Sequence, residues 1–215
     1  KGLYALAVSA GEGWAVGAQG AALRLHAGKW QSVQTGVSIP LNGVAVFSDR
    51  EAVAVGDNGT LLEWNGQRWS SADAKTNASL VSLSMPRRDL GWAAADDGTL
   101  IHFDGVAWAL AENATMGVAH AVAVASTAPE DVWALGRRGT VLHYDGGAWK
   151  GMYVPLAADF NDVAMDSPTS AWAVGIRGVI AHWDGQRWQS VESPTEATLV
   201  AIDVAGADVG WAVGE

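Results

Sequence analysis

The chain has no cysteine. Disulfide staples, thiolate nucleophiles and metal sites built on thiolate are thereby excluded, while the redox compartment stays open. Basic residues are scarce, with 13 Lys and Arg against 23 Asp and Glu and a formal net charge of −10. Nucleic acid and anionic membrane surfaces call for a basic footprint, so neither is expected as a partner. No apolar run reaches the ~18–20 residues that span a bilayer, so no membrane insertion is expected. No segment carries a 3.6-residue apolar period over about ten residues, which predicts almost no helix. No signal peptide is visible, yet the sequence opens and stops inside repeat units. It is therefore expected to be a piece of a longer protein, its targeting information removed.

What is present is a repeat. With 215 residues, 49% of them apolar and 17% charged, the composition is that of one globular domain. The stretch GTLLEWNGQRW at residues 59–69 returns at 98–108 (GTLIHFDGVAW), 139–149 (GTVLHYDGGAW) and 178–188 (GVIAHWDGQRW). A degraded copy at 20–30 (GAALRLHAGKW) lacks one register position but keeps Gly28 and the closing Trp30. Each copy follows a second phrase, begun by Trp14, Val53, Trp92, Trp133 and Trp172, of the form Trp-Ala-Val-Gly. A sixth such phrase begins at Trp211, and the copies recur every 39, 39, 41 and 39 residues. A fixed period near 40 marks a repeat architecture.

Each repeat reads as four short strands A to D, in the second copy over residues 41–47, 52–56, 60–64 and 67–71. In strand A, Val44 and Val46 alternate with Gly43 and Ala45, the period of two that a strand requires. Leu6/Val8, Leu83/Met85, Val122/Val124, Val163/Met165 and Ile202/Val204 repeat it. Strands B and C are joined by Gly-x-x-Gly or a relative of it. Strands C and D are joined by Asn65-Gly66, Asp104-Gly105, Asp145-Gly146 and Asp184-Gly185, which predict type I′ hairpins with both central residues at positive φ. The two residues by which the fourth copy exceeds the period are placed in its A–B loop, residues 125–131. Four antiparallel strands every ~40 residues without helix predict an all-β fold, a β-propeller. Five full blades are expected at about 3–40, 41–79, 80–118, 119–158 and 159–198, with strands A and B of a sixth at 199–215. An open solenoid of stacked hairpins is the runner-up.

The paired phrases, WAVG and then G-T-[LV]-[LI]-H-[FYW]-D-G-x-x-W, resemble those of bacterial repeat propellers. These are related to the photosystem II stability/assembly factor and to Asp-box (sialidase-type) propellers. The resemblance covers the whole chain and implies the propeller fold, in secreted or surface proteins. It also implies, for the assembly factor, a partner held by a basic patch. The chain departs from the family in two ways: Asp145 lies four positions before Trp149 where the Asp box has five, and the chain is acidic.

The twelve Trp invite a carbohydrate-binding reading, since sugars stack on exposed rings. Each Trp has a repeat position, however, and periodic aromatics are expected to pack blade on blade, burying ~150–250 Å² apiece. His102, His143 and His182 share one position on successive blades. Packed sheets lie ~10 Å apart, too far for ligands that must sit ~2.0–2.1 Å from a common zinc. No metal and no cofactor is expected, and a structural hydrogen bond is the role assigned to these rings. A sialidase-like centre needs several inner-strand arginines and a Tyr–Glu pair. Tyr numbers three, and no Arg falls on an inner strand, so catalytic residues are not expected.

What breaks the repeat carries the functional reading. The B–C turns and the D–A connections share one face in a propeller. The middle residues of those turns run Ala18-Gln19, Asp57-Asn58, Asp96-Asp97, Arg137-Arg138 and Ile176-Arg177, so this face changes sign along the chain. His120, Asn161 and Asp162 are polar exceptions at the start of strand A, near the same face. Arg137, Arg138, Arg177, His120, Asn161 and Asp162 are the candidate binding residues, with charge complementarity as the means. The expected function is a non-enzymatic scaffold presenting loops to another protein, in a bacterial extracellular, cell-surface or periplasmic setting. A carbohydrate-binding propeller and a glycosidase-like enzyme are the alternatives.

Overall fold

The computed structural model describes residues 2–111, 121–156, 158–206 and 209–215. Blade one comprises β1 (Leu3–Ser9), β2 (Glu12–Gly17), β3 (Ala21–His26) and β4 (Lys29–Ser32). Blade two has β5 (Leu41–Ser48), β6 (Glu51–Gly56), β7 (Thr60–Trp64) and β8 (Trp69–Ser71); blade three has β9 (Leu80–Arg87), β10 (Leu90–Ala95), β11 (Leu100–Phe103) and β12 (Trp108–Leu110). Blade four has β13 (Ala121–Ala128), β14 (Asp131–Gly136), β15 (Val141–Tyr144) and β16 (Trp149–Gly151). Blade five has β17 (Phe160–Ser167), β18 (Ser170–Gly175), β19 (Ile180–Trp183) and β20 (Trp188–Val191), and β21 (Leu199–Val204) pairs with β22 (Gly210–Gly214) alone. Five four-stranded antiparallel sheets and one two-stranded sheet make this an all-β propeller of five blades and strands A and B of a sixth.

The chain forms two compact units, blades one to three in the first, blades four and five with the two-stranded sheet in the second. In the first, Trp14, Val16, Leu41, Leu62, Trp64 and Trp69 form one buried cluster between blades one and two. Val53, Val55, Leu61, Leu80, Ile101 and Trp108 form the next, between blades two and three. In the second unit Trp133, Leu135, Phe160, Val163, Trp183 and Trp188 lie together between blades four and five. The two-stranded sheet packs through β21 on β17 and β18 of blade five, as the next blade would.

The closing phrase of strand B ends in glycine for a steric reason. A Cβ on Gly56 would stand 2.1 Å from the Pro40 carbonyl oxygen, and one on Gly175 2.1 Å from that of Asp159. The chain enters strand A over that glycine and then bulges, with a register shift between Leu41 and Gly43 and again between Phe160 and Asp162. A bulge sets two residues opposite one and re-aims a side chain. Asn42 and Asn161 are the residues so re-aimed. Asn42 Nδ2 donates to the Leu80 carbonyl at 3.0 Å and Asn161 Nδ2 to the Leu199 carbonyl at 2.8 Å, each stitching its strand A to that of the following blade.

Four local expectations are corrected. The C–D turns are not type I′. Gly66, Gly105, Gly146 and Gly185 have φ between 88° and 93°, but no other residue of these turns lies at positive φ. The glycine at the first central position is the signature of type II′. The preceding Asn or Asp stays outside the turn centre and caps it, with Asn65 Oδ1 accepting from the N–H groups of Gln67 and Arg68 at 3.0 Å. The blade-one copy is not short of a residue. His26 pairs with Lys29 around Ala27 and Gly28, both at positive φ, so this degraded copy alone makes the type I′ turn. Lastly, the two additional residues of the fourth copy do not lie in its A–B loop. The first residue of strand A precedes the WAVG position by 12 at Leu41–Val53 and at Ala121–Trp133 alike. The closing Trp precedes the next strand A by 11 at Trp69–Leu80 and Trp149–Phe160, but by 13 at Trp108–Ala121. The insertion therefore belongs to the D–A connection, and Val124 and Ser126, not Val122 and Val124, match Val44 and Val46. Strand D is also shorter than expected, beginning at Trp69 in blade two.

Candidate functional site

The B–C turns are one structure repeated with different side chains. Gln19, Asn58, Arg138 and Arg177 all sit in the left-handed region, with φ of 56°, 56°, 59° and 56°, and the glycine after each has φ of 65–69°. All four side chains are exposed. In blades two and four the turn is braced by the D–A connection of its own blade, Gly59 N–H donating to the Ala78 carbonyl at 2.9 Å and Gly139 N–H to that of Ala158 at 2.7 Å. A left-handed conformation costs a residue with Cβ about 1–2 kcal/mol, and Asn tolerates it through its short polar side chain. Arginine has no such local compensation. The bracing imposes the turn, and the side chain is free to serve another purpose.

Within the second unit, Arg137 and Arg138 of blade four and Arg177 of blade five are exposed at these turns. Asp159 braces the first of them, its Oδ1 accepting from the Arg138 N–H at 2.7 Å. Within the first unit, Asp57 occupies the matching turn of blade two and accepts from Asn42 Nδ2 at 2.8 Å. His120 lies outside the described residues. Asn161 and Asp162 sit at the blade-five bulge, and both bind the two-stranded sheet. Asp162 Oδ1 accepts from the Val163 N–H at 2.9 Å, and Oδ2 accepts from the Ile202 N–H at 2.8 Å. These two side chains are thus engaged between blade five and β21, while the arginines point outward.

Asp162 has an electrostatic consequence. Burial pushes its carboxyl up to about 6; the two N–H donors pull the other way, and Asp203 adds a further push upward. Protonation therefore stabilises the fold, fully below the ordinary value of 3.8 and no longer once pH rises through about 6. A shift of that size corresponds to ~3 kcal/mol, and solvent on one side of this half-buried group reduces it to roughly 2 kcal/mol. Denaturant titrations of wild type and Asp162→Asn at pH 7 and pH 4 should show the wild type gaining about that much relative to the variant at the lower pH. A difference that does not move with pH would show an Asp162 that titrates normally.

The histidines stack on the Trp of their own blade. His143 lies 4.3 Å from Trp133 at 22°, His182 4.2 Å from Trp172 at 29°, and His102 4.5 Å from Trp92 at 38°. His143 Nε2 also meets Asp131 Oδ1 at 2.7 Å, so the hydrogen bond runs to the same blade's strand B. Burial lowers the His102 pKa. The recurrent carboxylates are turn caps. Asp104 is held below the usual range by the N–H groups of Ala107 and Val106, and Asp145 by the Lys150 ammonium and then by the turn's own N–H groups.

Nine of the twelve Trp are buried, at 14, 64, 69, 92, 108, 133, 149, 183 and 188. Trp172 is half-buried, while Trp30 and Trp211 are exposed at 45% and 65%. The indoles interlock between blades: Trp14 meets Trp64 at 4.9 Å and Trp69 at 4.7 Å, and Trp133 meets Trp183 at 4.8 Å and Trp188 at 5.1 Å. Sequence reasoning placed these rings in the core but missed the Asn stitch. Its only sequence signal is Asn at the second position of strand A in copies two and five.

Blades of four antiparallel strands, braced turns and aromatic wedges define a β-propeller. No family model matches the chain, and neither does any curated protein. Solved structures do. YCF48 bound to D1 peptide is 17% identical with a TM-score of 0.54, the match covering 99% of this chain and 88% of that one. YCF48 from Cyanidioschyzon merolae is 16% identical with a TM-score of 0.53, covering 99% and 92%. The RRP9 WD40 repeats are 12% identical with a TM-score of 0.78, covering 99% and 73%. At these identities the likeness is one of fold.

Proposed function

We propose that this propeller is a non-enzymatic scaffold that binds a protein segment, with acidic side chains docking on Arg137, Arg138 and Arg177. Its setting is a bacterial extracellular or surface protein, in keeping with its WAVG and HxDGxxW phrases. The observation that carries the reading is the pair of exposed arginines, Arg138 and Arg177, kept at φ of 59° and 56° where glycine or asparagine would sit without strain. A guanidinium offers a planar fork that a carboxylate engages bidentately. Strain retained at a surface turn points to a use for the side chain that imposes it. The acidic net charge is no obstacle, since recognition depends on the local field. A peptide complex of a propeller of this fold, YCF48 with D1 peptide, is consistent with the class of partner.

The test is an array of Asp/Glu-rich and uncharged peptides probed at low and high salt. Wild-type protein should bind acidic spots, less so as salt rises, and the triple variant Arg137→Ala/Arg138→Ala/Arg177→Ala should lose them. The variant's unfolding free energy should stay within about 0.5 kcal/mol of wild type, since the side chains face solvent. Acidic-peptide binding untouched by the triple variant would remove this face from consideration. Retained glycan-array binding would favour the carbohydrate reading instead, and turnover of fluorogenic glycosides the enzymatic one.

A further inference from the structure

We propose that blade four carries the anchor of this scaffold, where Tyr153 stands beside Arg137 and Arg138 and takes an aromatic side chain that the partner sets among its carboxylates. This rests on the acid-binding role given to the arginines, and adds the blade that anchors the partner and the apolar group the partner must bring. The D–A connection of blade four departs from its counterparts in composition. Residues 152–158 read MYVPLAA, with no charge and no polar side chain but the Tyr153 phenol. Counted from the closing Trp, the matching stretches of the other described connections are VQTGVSI at 33–39, ADAKTNA at 72–78 and VESPTEA at 191–197. Tyr153 thus stands where they have Gln34, Asp73 and Glu192. The same blade has Arg137-Arg138 where blades two and three have Asp57-Asn58 and Asp96-Asp97.

Strand pairing brings the ring to the cations. Leu142 lies opposite Gly151, and Met152 N–H donates to the Val141 carbonyl at 2.8 Å. Tyr153 follows at once, at the end of the sheet where Thr140 leaves the Arg137–Gly139 turn. The hydrogen bonds from Gly139 to Ala158 and from Arg138 to Asp159 then fix turn and connection to each other. Tyr153 is 84% exposed, although Met152 and Leu156 of the same connection pack on the core. Pro155 restricts the backbone beside it. An exposed ring on a fixed backbone binds at low entropic cost, and Tyr and Arg are the types that anchor interfaces. The cations are also uncompensated. Arg87 and Arg88 are tied to Asp89 and Glu51, but among the described residues Arg137 and Arg138 make no ion pair. The carboxylate of this connection, Asp159, is given to the Arg138 N–H. In blade five the equivalent positions are Arg177 and Glu192, whose opposite charges offer an incoming acid less. A purely acidic segment would satisfy the guanidinium groups of blade four and leave the ring wet. One with an aromatic beside its acids fits both.

The probes are two fluorescein-labelled synthetic peptides of Asp and Glu, one with Phe interspersed and the other with Ser in place of each Phe. Fluorescence anisotropy should show the Phe peptide binding about tenfold tighter, the contribution of a well-packed aromatic pair. Tyr153→Ala should abolish that preference, and Tyr153→Phe should keep it. Both variants should retain the wild-type denaturation midpoint, since the side chain faces solvent. Arg137→Ala/Arg138→Ala should lose both peptides, whereas Val106→Ala, at an exposed C–D turn, should change neither. Equal binding of the two peptides, or a Phe preference that survives Tyr153→Ala, would overturn this assignment and leave the acid-binding reading standing. Binding of neither peptide by wild type would overturn both. A self-association that Tyr153→Ala abolishes and neither peptide displaces would also overturn the assignment, because a second copy then covers the ring.

Discussion

Trp133→Ala should cost ~3–5 kcal/mol of folding stability, and Trp172→Ala clearly less, although both residues open the same phrase of the repeat. Trp133 is 0% exposed and wedged between Trp183 and Trp188, with His143 stacked on its far side. Removing it opens a cavity walled by three rings that strands on either side hold in place, so collapse can recover little of the loss. Among the described residues Trp172 keeps its histidine but meets no following pair of indoles, and truncation there exposes a groove to water instead of emptying a core. Denaturant unfolding of the two variants checks the ranking. Equal losses would mean that the stack on histidine, common to both, carries the stability. A wild-type Trp133→Ala would mean that blades four and five are not held by this wedge at all.

The contrast between these two residues shows what the sequence can and cannot reveal. The period was legible because each turn needs its own residue type at a fixed position: glycine where φ is positive, Asn or Asp where N–H groups need a cap, Trp where the next blade presses. Burial was less legible, since a Trp in strand B is buried by the following blade and not by its own neighbours in sequence. The insertion in the fourth copy was misplaced because Ala121-Val122-Ala123-Val124-Ala125 alternates identically in two registers. Only the pairing of Ala121 with Gly136 chooses between them. The bulge at Asn42 and Asn161 leaves no mark that alternation could show, so the polar exception at Asn161 stood out in the sequence without its stitching of blade to blade. The arginines were singled out by charge alone. Their left-handed conformation, which strengthens the case for a use, appears only in the backbone.

That backbone also makes the glycine after each arginine or its counterpart a test of how tightly the turn is braced. Gly178→Ala should destabilise by roughly 2–4 kcal/mol, joining a left-handed penalty to an overpacking one. Gly178 has φ of +68°, and a Cβ there would stand 1.8 Å from the Thr195 carbonyl oxygen, a backbone atom with no rotamer to yield. Gly59 is placed alike, with φ of +65° and the Thr76 carbonyl 2.0 Å from the added carbon. Gly139 provides the control inside the same fold. Its φ is +69°, but the nearest atom to an added Cβ is the Leu156 carbonyl at 3.4 Å. Gly139→Ala should therefore show the conformational penalty alone, about 1–2 kcal/mol. The measurement is the set of unfolding free energies for the three single variants, expected in the order Gly178 and Gly59 well above Gly139. If the three losses are equal, the carbonyl contact contributes nothing and the D–A connection yields freely. The B–C turns would then be held by their own φ alone, and the rigid presentation of Arg138 and Arg177 would lose its support.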